Sequence, residues 1–514
     1  MQKSYFLFVA VAGFLMPFLT GFLGILPLDQ SIIFEAGGRI AIGEKPFSDL
    51  YLPYGLVPAL AQAAIFKVVG VSWFNYVLHA ALINCIFAIL VLDVLRIWLP
   101  KQNKTPIVLG ALLASWAFYP MIGTPFMDNH SFFFAFVAYW SVLAGIYRGK
   151  YPLLLICFPC MVLGFYSKPL PVIFWIVPIA TECWLNRHLF RNYFKWIGWS
   201  VVIALAVAGL PFAIFDTYHF YYYTFYLPFR IGQGRVEIAD EPLTGIIFGN
   251  ERYKIWACLL FLTLTYVLFR IKHTITDSRL AFYRAGSILF ATVLGAALTK
   301  NTFYNLFSIA GVLFLIVLYS VELRAWQSLG VRKIARFCIM LLCIIATGLI
   351  SQMNFSRRAN EFVFRLNDLK KYSPELGIFL KSPGDQYSIS EIRQLYQLMS
   401  REHCLYIGDM MLLYSLTKSR NPWPLTHLHD GTSYNSQDSV EFADVKLKLL
   451  NNLMKSQTTC IISDHLVYGP EEFVVFVNEL KGNRRKSFGR FVVYGIDKEK
   501  LAWMVSNLNT SRAK

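Results

Sequence analysis

Apolar residues fill long runs over the first 351 positions, and short polar segments separate these runs. A helix needs about 20 apolar residues to cross roughly 30 Å of hydrocarbon. Two runs, 106–119 and 151–165, are short for a full crossing and indicate thinner or re-entrant helices. The pattern predicts eleven transmembrane helices, at residues 5–27, 74–98, 106–119, 131–147, 151–165, 170–186, 197–215, 255–270, 281–298, 303–321 and 337–351.

A further apolar stretch, residues 55–69, contains Gln62 and Lys67. If it lies on the surface, the loops assigned to the inside hold 17 Lys or Arg residues and two acids. If it crossed the bilayer, every later loop would change sides and the charge bias would invert. Because Lys and Arg concentrate in cytoplasmic loops, we expect this stretch to lie along the outer face. The N-terminus is then cytoplasmic and the C-terminus extracytoplasmic.

From about residue 352 the pattern changes, and no later run is long enough to cross a bilayer. Short β-rich runs occur at 404–409, 460–465 and 490–496. Helical patterns alternate with them at 388–402, 438–456 and 469–481. This alternation predicts an α/β domain with a small, mostly parallel sheet. We therefore expect a transmembrane domain at 1–351, with a first outer loop at 28–73 that carries surface helices, and an extracytoplasmic domain at 352–514.

The composition supports an integral membrane protein. Hydrophobic residues make up 56% of the chain and charged residues only 15%, against about 25% charged residues in a soluble domain. Mean hydropathy is +0.48. The net charge of +17 is accounted for by the cytoplasmic loops, so no nucleic-acid partner is predicted. The first apolar run is long for a signal peptide and no small-residue cleavage site follows it, which favours an uncleaved helix.

Charged residues gather in the segments assigned to the outer face. A charge near hydrocarbon costs about 2.5–3.5 kcal/mol on insertion scales, so such residues tend to face a cavity or a partner. The first loop supplies Asp29, Glu35 and Asp49 to this set, and later loops supply another acid, a histidine and several cations. The candidate site residues are Asp29, Glu35, Asp49, Tyr54, Asp128, His130, Lys168, Arg230, Arg235 and Lys300.

Transfer of a sugar from a lipid phosphate needs this combination of groups at a membrane face. Lys or Arg can neutralise a phosphate at headgroup depth. A carboxylate can take the proton of an incoming hydroxyl, while cations stabilise the charge on the departing phosphate. Simpler roles also fit. Asp29 could cap a helix at 30–42, Asp49 could stabilise a turn, and Lys168 could snorkel.

The stretch DQSIIFEAGGRIAIGEKPFSDLYLPYG, residues 29–55, resembles the first-loop signature of GT-C-type membrane glycosyltransferases. More narrowly, it is similar to the bacterial branch related to protein mannosyltransferases and lipid A aminoarabinose transferases. Members of that branch have an acid after the first span, a small-residue helix ending in Gly, an aromatic-x-Asp and a Pro-aromatic step with Gly. The matching positions are Asp29, Gly43, Phe47-Ser48-Asp49 and Pro53-Tyr54-Gly55. MDNH at 127–130 and SKP at 167–169 also resemble the pattern.

The resemblance implies a mainly α GT-C-type bundle in the bacterial cytoplasmic membrane. It implies a polyprenyl-phosphate sugar as donor and a lipid, glycan or protein on the outer face as acceptor. Asp29 matches the catalytic acid of the family, with Asp49 as a further acid. Many relatives have Asp-Glu where this chain has Asp29-Gln30, so the role of a second acid passes to Glu35 or is absent. The branch does not generally need a metal, although Asp29 and Asp128 could hold a divalent ion.

Two other classes of membrane protein remain open. A transporter or flippase of a lipid-linked saccharide should show broken spans, charges near the midplane and an internal repeat, and the sequence shows none clearly. A polysaccharide polymerase or ligase usually lacks a first-loop acid cluster and a large C-terminal domain.

Cys404 and Cys460 each open a predicted strand, and they could form a disulfide if the two strands are neighbours in an oxidising compartment.

Overall fold

Contacts divide the chain into two compact units. The helical unit comprises residues 1–21, 80–210 and 232–364, and the mixed unit comprises residues 22–79, 211–231 and 365–514. The first loop therefore folds with the C-terminal region, from which it is distant in sequence. The computed structural model describes residues 2–100, 104–119, 123–230, 277–298, 309–314, 316–317, 369–381, 387–428, 433–436, 438–464 and 471–512.

Most described residues of the first half are helical. In chain order the α-helices are α1 (Gln2–Thr20), α2 (Pro27–Ala41), α3 (Leu56–Val69), α4 (Trp73–Trp98), α5 (Lys104–Phe118), α6 (Met127–Tyr147), α7 (Cys157–Ser167), α8 (Pro169–Val172), α9 (Ile176–Leu185), α10 (Phe190–Ile214), α11 (Thr217–Tyr221) and α12 (Asp277–Leu298). Tighter 3-10 turns join them at Tyr151–Ile156, Ile173–Trp175 and Arg187–Leu189, and a π-helical turn at Tyr222–Tyr226 follows α11.

Three helices among the described residues are long and apolar enough to cross a membrane, namely α4, α6 and the segment Arg187–Ile214 that contains α10. Helices α1, α3 and α5 and the segments Tyr151–Ser167 and Ile173–Leu185 are apolar but shorter. This supports a membrane protein, while the count of eleven spans stays a prediction. The predicted spans 255–270 and 337–351 lie outside the described residues, and 303–321 lies largely outside them.

Two ion pairs join helix ends inside the helical unit. Asp93, near the end of α4, accepts hydrogen bonds from Arg148, just after α6, at 2.5 Å and from Trp140 at 2.8 Å. Glu182 in α9 pairs with Arg284 in α12, with oxygen–nitrogen distances of 2.7 and 2.8 Å, and both side chains are buried. Burying a charge is expensive unless it is paired, so these pairs fix which helix ends adjoin.

The glycines of α2 let two elements approach it closely. A Cβ at Gly37 would lie 2.7 Å from Gln62 Cγ in α3. A Cβ at Gly38 would lie 2.1 Å from Ser415 Oγ, in a helix of the C-terminal region. Ordinary side chains do not fit at these distances, so the small-residue run of α2 permits its packing between α3 and that region. The core nearby is aromatic, since Phe34 contacts the rings of Phe66, Trp73 and Tyr76.

The C-terminal region contains a small mixed sheet. Its elements in chain order are β1 (Leu369–Ser373), β2 (Ile378–Lys381), α13 (Ile389–Arg401), β3 (Cys404–Ile407), α14 (Leu412–Thr417), α15 (Ser439–Lys455), β4 (Cys460–Asp464), α16 (Glu471–Asn478), β5 (Lys481–Phe488), β6 (Phe491–Ile496) and α17 (Lys498–Arg512). Four described strands form one sheet in the order β3-β4-β6-β5. Strands β1 and β2 form a separate antiparallel pair.

The predicted α/β alternation is confirmed in three strands and three helices, within a few residues at each end. The predicted mostly parallel arrangement is wrong. Only the β3–β4 pair of the described sheet is parallel, and β6 runs antiparallel to both β4 and β5. The reason is the short connection at Gly489 and Arg490 between β5 and β6, because a tight hairpin joins antiparallel strands whereas a parallel pair needs a long crossover.

Cys404 and Cys460 form a disulfide between β3 and β4. The two residues are direct partners in the parallel register, and their Cα atoms lie 4.5 Å apart. The pairing was expected only if the two strands were neighbours, and they are. Disulfides persist in oxidising compartments, so this bond agrees with an extracytoplasmic C-terminal region.

Candidate functional site

Asp29 lies in the first turn of α2 and its side chain is exposed. Helix α2 begins at Pro27, two residues before it, so Asp29 is inside the helix and not at the capping position. A negative charge in the first turn is stabilised by the helix dipole. The exposed carboxylate at the start of a fixed helix is the arrangement expected of a base that must meet a substrate from solution.

Gln30 takes part in the local cap of α2. Its side-chain oxygen accepts a hydrogen bond from the backbone N–H of Leu26 at 2.7 Å, and the side chain is fully buried. Its backbone carbonyl also accepts the hydroxyl of Tyr76 at 3.1 Å. Gln30 therefore stabilises the helix start, which is a role that needs no charge.

Glu35 lies in the middle of α2 and is fully buried. Its Oε2 accepts the Ser415 hydroxyl at 2.6 Å and the Ser415 N–H at 3.2 Å, and its Oε1 accepts the Asn421 amide at 3.0 Å. Burial raises the pKa of Glu35 to about 7, against the lowering effect of Arg39 and of these hydrogen bonds. These contacts join α2 to α14 and the loop after it, and a catalytic role for Glu35 stays a prediction.

Arg39, also buried, links three chain segments. It donates to the Glu44 carboxylate at 2.6 Å, to the Trp423 carbonyl at 2.7 Å and to the Asp49 carbonyl at 3.3 Å. The side chain of Asp49 is exposed, and it accepts the backbone N–H of Lys45 at 2.9 Å. That is the turn-stabilising contact considered above, and a further site role for Asp49 stays a prediction.

Asp128 and Lys168 form an ion pair within the helical unit. Lys168 Nζ lies 2.8 Å from Asp128 Oδ1 and 3.0 Å from Oδ2, and the side chains are 21% and 27% exposed respectively. The Lys168 carbonyl accepts the Ser131 hydroxyl at 2.7 Å, which fixes the backbone after α7 against α6. His130 is buried in α6, with Nδ1 at 2.8 Å from the Phe126 carbonyl oxygen. The sequence motifs MDNH and SKP are therefore in contact.

The remaining predicted residues are placed as follows. Tyr54 is partly buried, and its ring centroid lies 6.2 Å from that of His427. Arg230 is exposed, with its guanidinium carbon 5.7 Å from the Tyr226 ring centroid. Arg235 and Lys300 lie outside the described residues. Asp29 belongs to the mixed unit and Asp128 to the helical unit, so the divalent ion that they were expected to share stays a prediction.

The mixed unit also contains a polar cluster that the sequence did not predict. Asp216, at the start of α11, accepts from the His219 ring at Nδ1 across 2.7 Å. The other ring nitrogen, Nε2, lies 3.4 Å from Asp444 Oδ2 in α15. The Tyr51 hydroxyl donates to the same Asp444 oxygen at 2.6 Å, and the Tyr51 ring stacks on His219 at 4.7 Å. In the sequence, the two halves of this cluster are indicated only separately, by the three-residue spacing within Asp216/His219 and within Glu441/Asp444.

Electrostatics couple the members of this cluster. Burial would lower the pKa of His219, but its bonds to Asp444 and Asp216 raise it above the usual value. Burial raises the pKa of Glu441, which is 1% exposed. Among the described residues, ligand atoms of His219, Glu441 and Asp444 all lie within 4.8 Å of one another, a separation at which they could hold a metal ion. Glu402, Cys404 and Cys460 are equally close, but the two cysteines form the disulfide.

Neither protein-family models nor the sequences of curated proteins give a match to this chain. The function is therefore argued from the site itself.

Proposed function

We propose that this protein is a membrane glycosyltransferase that moves a sugar from a polyprenyl-phosphate donor to a lipid, glycan or protein on the outer face of the cytoplasmic membrane. Asp29 is the general base that takes the proton from the acceptor hydroxyl. The observation that carries the proposal is the exposed Asp29 in the first turn of α2, a helix whose buried Glu35 and Arg39 hold it in place.

Fixed geometry around Asp29 is what general base catalysis requires. A base works only within hydrogen-bond reach of the hydroxyl that it deprotonates, and its position must hold to within about 0.5 Å. Ser415 and Trp423 supply that rigidity from the C-terminal region, through Glu35 and Arg39. The carboxylate itself remains exposed to solvent, where an acceptor can reach it.

Cations for the donor phosphate come from the later outer loops. We assign this role to Lys168, Arg230, Arg235 and Lys300. Lys168 is partly exposed and is held by Asp128 at 2.8 Å. An ammonium oriented in this way can bind a phosphate oxygen, and Asp128 balances its charge before the donor binds. In the second half of the proposed chemistry, such cations stabilise the negative charge that develops on the departing phosphate.

Eleven spans with a cytoplasmic N-terminus complete the proposal. In that topology Asp93 and Arg148 lie near one membrane face, and Asp128 and Lys168 lie near the other. The Asp93–Arg148 and Asp128–Lys168 pairs agree with it, because each joins two helix ends assigned to the same side. The Cys404–Cys460 disulfide supports an outer location for the C-terminal region.

The test is sugar transfer by the purified full-length chain. The protein is reconstituted in vesicles with a radiolabelled polyprenyl-phosphate hexose and cell-envelope lipids. We expect labelled lipid or glycan product, and we expect Asp29→Asn to lower kcat at least 100-fold, because general acid–base catalysis contributes about 10²–10⁴-fold. Glu499→Gln is the matched control, since it changes another exposed carboxylate of the same unit that has no part in the proposed site.

Equal transfer by the wild-type chain and Asp29→Asn would remove Asp29 from the proposed role. The same vesicles separate the alternative classes. Movement of the labelled lipid across the bilayer with no product would indicate a flippase. Transfer of whole oligosaccharides in place of single sugars would indicate a polymerase or ligase.

A further inference from the structure

The strongest unexplained cluster lies between α11, α15 and the Tyr51 segment, all within the mixed unit. It brings one imidazole and two carboxylates together, on His219, Glu441 and Asp444. None of these residues has a part in the proposed sugar transfer. The geometry points to a binding site for a zinc-class divalent metal ion, with His219 Nε2 and carboxylate oxygens of Glu441 and Asp444 as its three protein ligands.

The first argument is the distance between His219 Nε2 and Asp444 Oδ2. At 3.4 Å it is longer than the 2.7–2.9 Å usual for a charge-assisted hydrogen bond. Tetrahedral zinc has bonds of about 2.0–2.2 Å to nitrogen and oxygen, which puts neighbouring ligand atoms about 3.3–3.5 Å apart. The observed separation is therefore that of two ligands on a common ion.

The second argument is the orientation of His219. Asp216 Oδ1 lies 2.7 Å from Nδ1 and accepts a hydrogen bond from the ring N–H, while Asp216 also accepts the backbone N–H of His219 at 2.9 Å. A carboxylate on one ring nitrogen leaves the other with its lone pair directed at the metal, and this second partner is typical of metal-binding histidines. The Tyr51 hydroxyl, at 2.6 Å from Asp444 Oδ2, orients the Asp444 carboxylate in the same way.

The third argument is the state of Glu441. Its side chain is 1% exposed, and Oε1 makes no hydrogen bond of normal geometry to any residue that the structure describes. The hydroxyl of Tyr223 is the near donor: its hydrogen-bond interaction with Glu441 acts to lower the pKa of the carboxyl, but it is not in normal hydrogen-bond geometry. A buried carboxylate oxygen without a well-aligned partner costs free energy, and a cation bound by Glu441 and by the nearby Asp444 would offset that cost.

The charge and the donor set select the ion. Among the described residues, four carboxylates act on this region, those of Asp216, Asp438, Glu441 and Asp444, against the ammonium of Lys448 and the imidazole of His219. The balance of charge therefore attracts a dication. Magnesium and calcium take six or more oxygen ligands, whereas an imidazole with two carboxylates suits zinc. A water molecule or a substrate oxygen would complete the tetrahedron.

The bound ion would join α11 to α15. His219 is 225 residues from Asp444 in sequence, so one ion would hold the aromatic segment Thr217–Tyr226 against the C-terminal region. This inference does not depend on the proposed glycosyltransferase activity, and its test uses no activity measurement.

The test is metal content and metal binding of the purified full-length chain, prepared without a polyhistidine tag. We expect about one zinc per chain by mass spectrometry, lost on dialysis against a chelator and regained with zinc alone. Cobalt alone should give the intense visible bands of tetrahedral Co²⁺. Glu441→Gln and His219→Gln should each weaken zinc binding more than 10-fold, and Tyr51→Phe, which removes an outer contact, about 10–100-fold.

His403→Gln is the matched control, because His403 is an exposed histidine of the same unit. It should keep the wild-type zinc content. Thermal unfolding of each variant shows whether it folds, and Glu441→Gln serves if His219→Gln does not. A wild-type chain that binds neither zinc nor cobalt would overturn the proposal and leave an ion-paired imidazolium. Unchanged zinc affinity in a folded Glu441→Gln and His219→Gln would overturn it equally.

Discussion

The hydroxyl of Ser415 donates to the buried carboxylate of Glu35 across 2.6 Å, although 380 residues separate the two in sequence. This contact fixes the middle of α2 against α14, and Asp29 lies in the first turn of the same helix. The position of the proposed base therefore depends on a hydrogen bond from a distant residue of the C-terminal region.

The raised pKa of Glu35 predicts a pH dependence of stability. Its folded pKa of about 7 lies above the unfolded value of 4.5, so the folded protein binds the proton more tightly. Stability from this group is therefore greatest below pH 4.5 and declines as pH rises through 7. Between pH 6 and 8 the loss is about 1 kcal/mol, or roughly 2–4 °C in melting temperature.

Thermal unfolding of the wild-type chain and of Glu35→Gln at pH 6, 7 and 8 measures this effect. The fall between pH 6 and 8 should be larger in the wild-type chain, whatever the absolute stability of the variant. Parallel melting curves across this range would show that Glu35 titrates normally or not at all in the fold.

The Cys404–Cys460 disulfide should stabilise the C-terminal region. It joins residues 56 positions apart, for which the chain-entropy relation gives about 4 kcal/mol. We expect the double variant Cys404→Ala/Cys460→Ala to unfold at a lower temperature in the absence of reductant. Cys85→Ala, which changes a free and partly buried cysteine, is the control.

Thiol counting checks the bond directly. The wild-type chain should show two more alkylated thiols after reduction than before it, and the double variant should show no such gain. An equal count in the wild-type chain before and after reduction would exclude the bond, and with it one support for the outer location of this region.

The Asp128–Lys168 pair predicts an ordered set of kinetic effects on the proposed transfer. Lys168→Gln removes the ammonium that would bind the donor phosphate, so kcat/KM should fall at least 10-fold, which is about 1.4 kcal/mol. Lys168→Arg should recover part of the loss because it keeps the charge. Asp128→Asn should have the smaller effect, since the cation remains.

Steady-state kinetics at varied donor concentration measure this order. If Lys168→Gln transfers as fast as the wild-type chain, the lysine has a purely structural role in its 2.8 Å contact with Asp128. A double variant, Lys168→Gln with Asp128→Asn, then reports whether the two residues act together.

Helices with a clear apolar pattern could be predicted from the sequence. The expected surface stretch 55–69 forms α3 at Leu56–Val69, and the helix expected at 438–456 forms α15 at Ser439–Lys455. Strand β5 could not be predicted, because its sequence KGNRRKSF has no apolar alternation. It pairs through its backbone with β6, and its charged side chains suit an edge strand that must not pair with another chain.

The candidate site was predictable only where its parts lie close in sequence. Asp29, Glu35 and Asp49 came from one loop, but the burial of Glu35 depends on Ser415 and Asn421, which no local pattern indicates. The same holds for His219 and Asp444, which meet through packing of α11 and α15. Tertiary contacts of this kind carry no signal in the spacing of a single sequence.

The mixed unit is built from three separate stretches, and the last of them is synthesised long after the first. During biogenesis the first loop would leave the ribosome early, and its contacts with Ser415 and Trp423 could form only after the C-terminal region has been translated. A ribosome-stalled or truncated product that lacks the C-terminal region would therefore have Glu35 and Arg39 without their partners. Such a product would be open to degradation, so the cell could remove incomplete chains at this step.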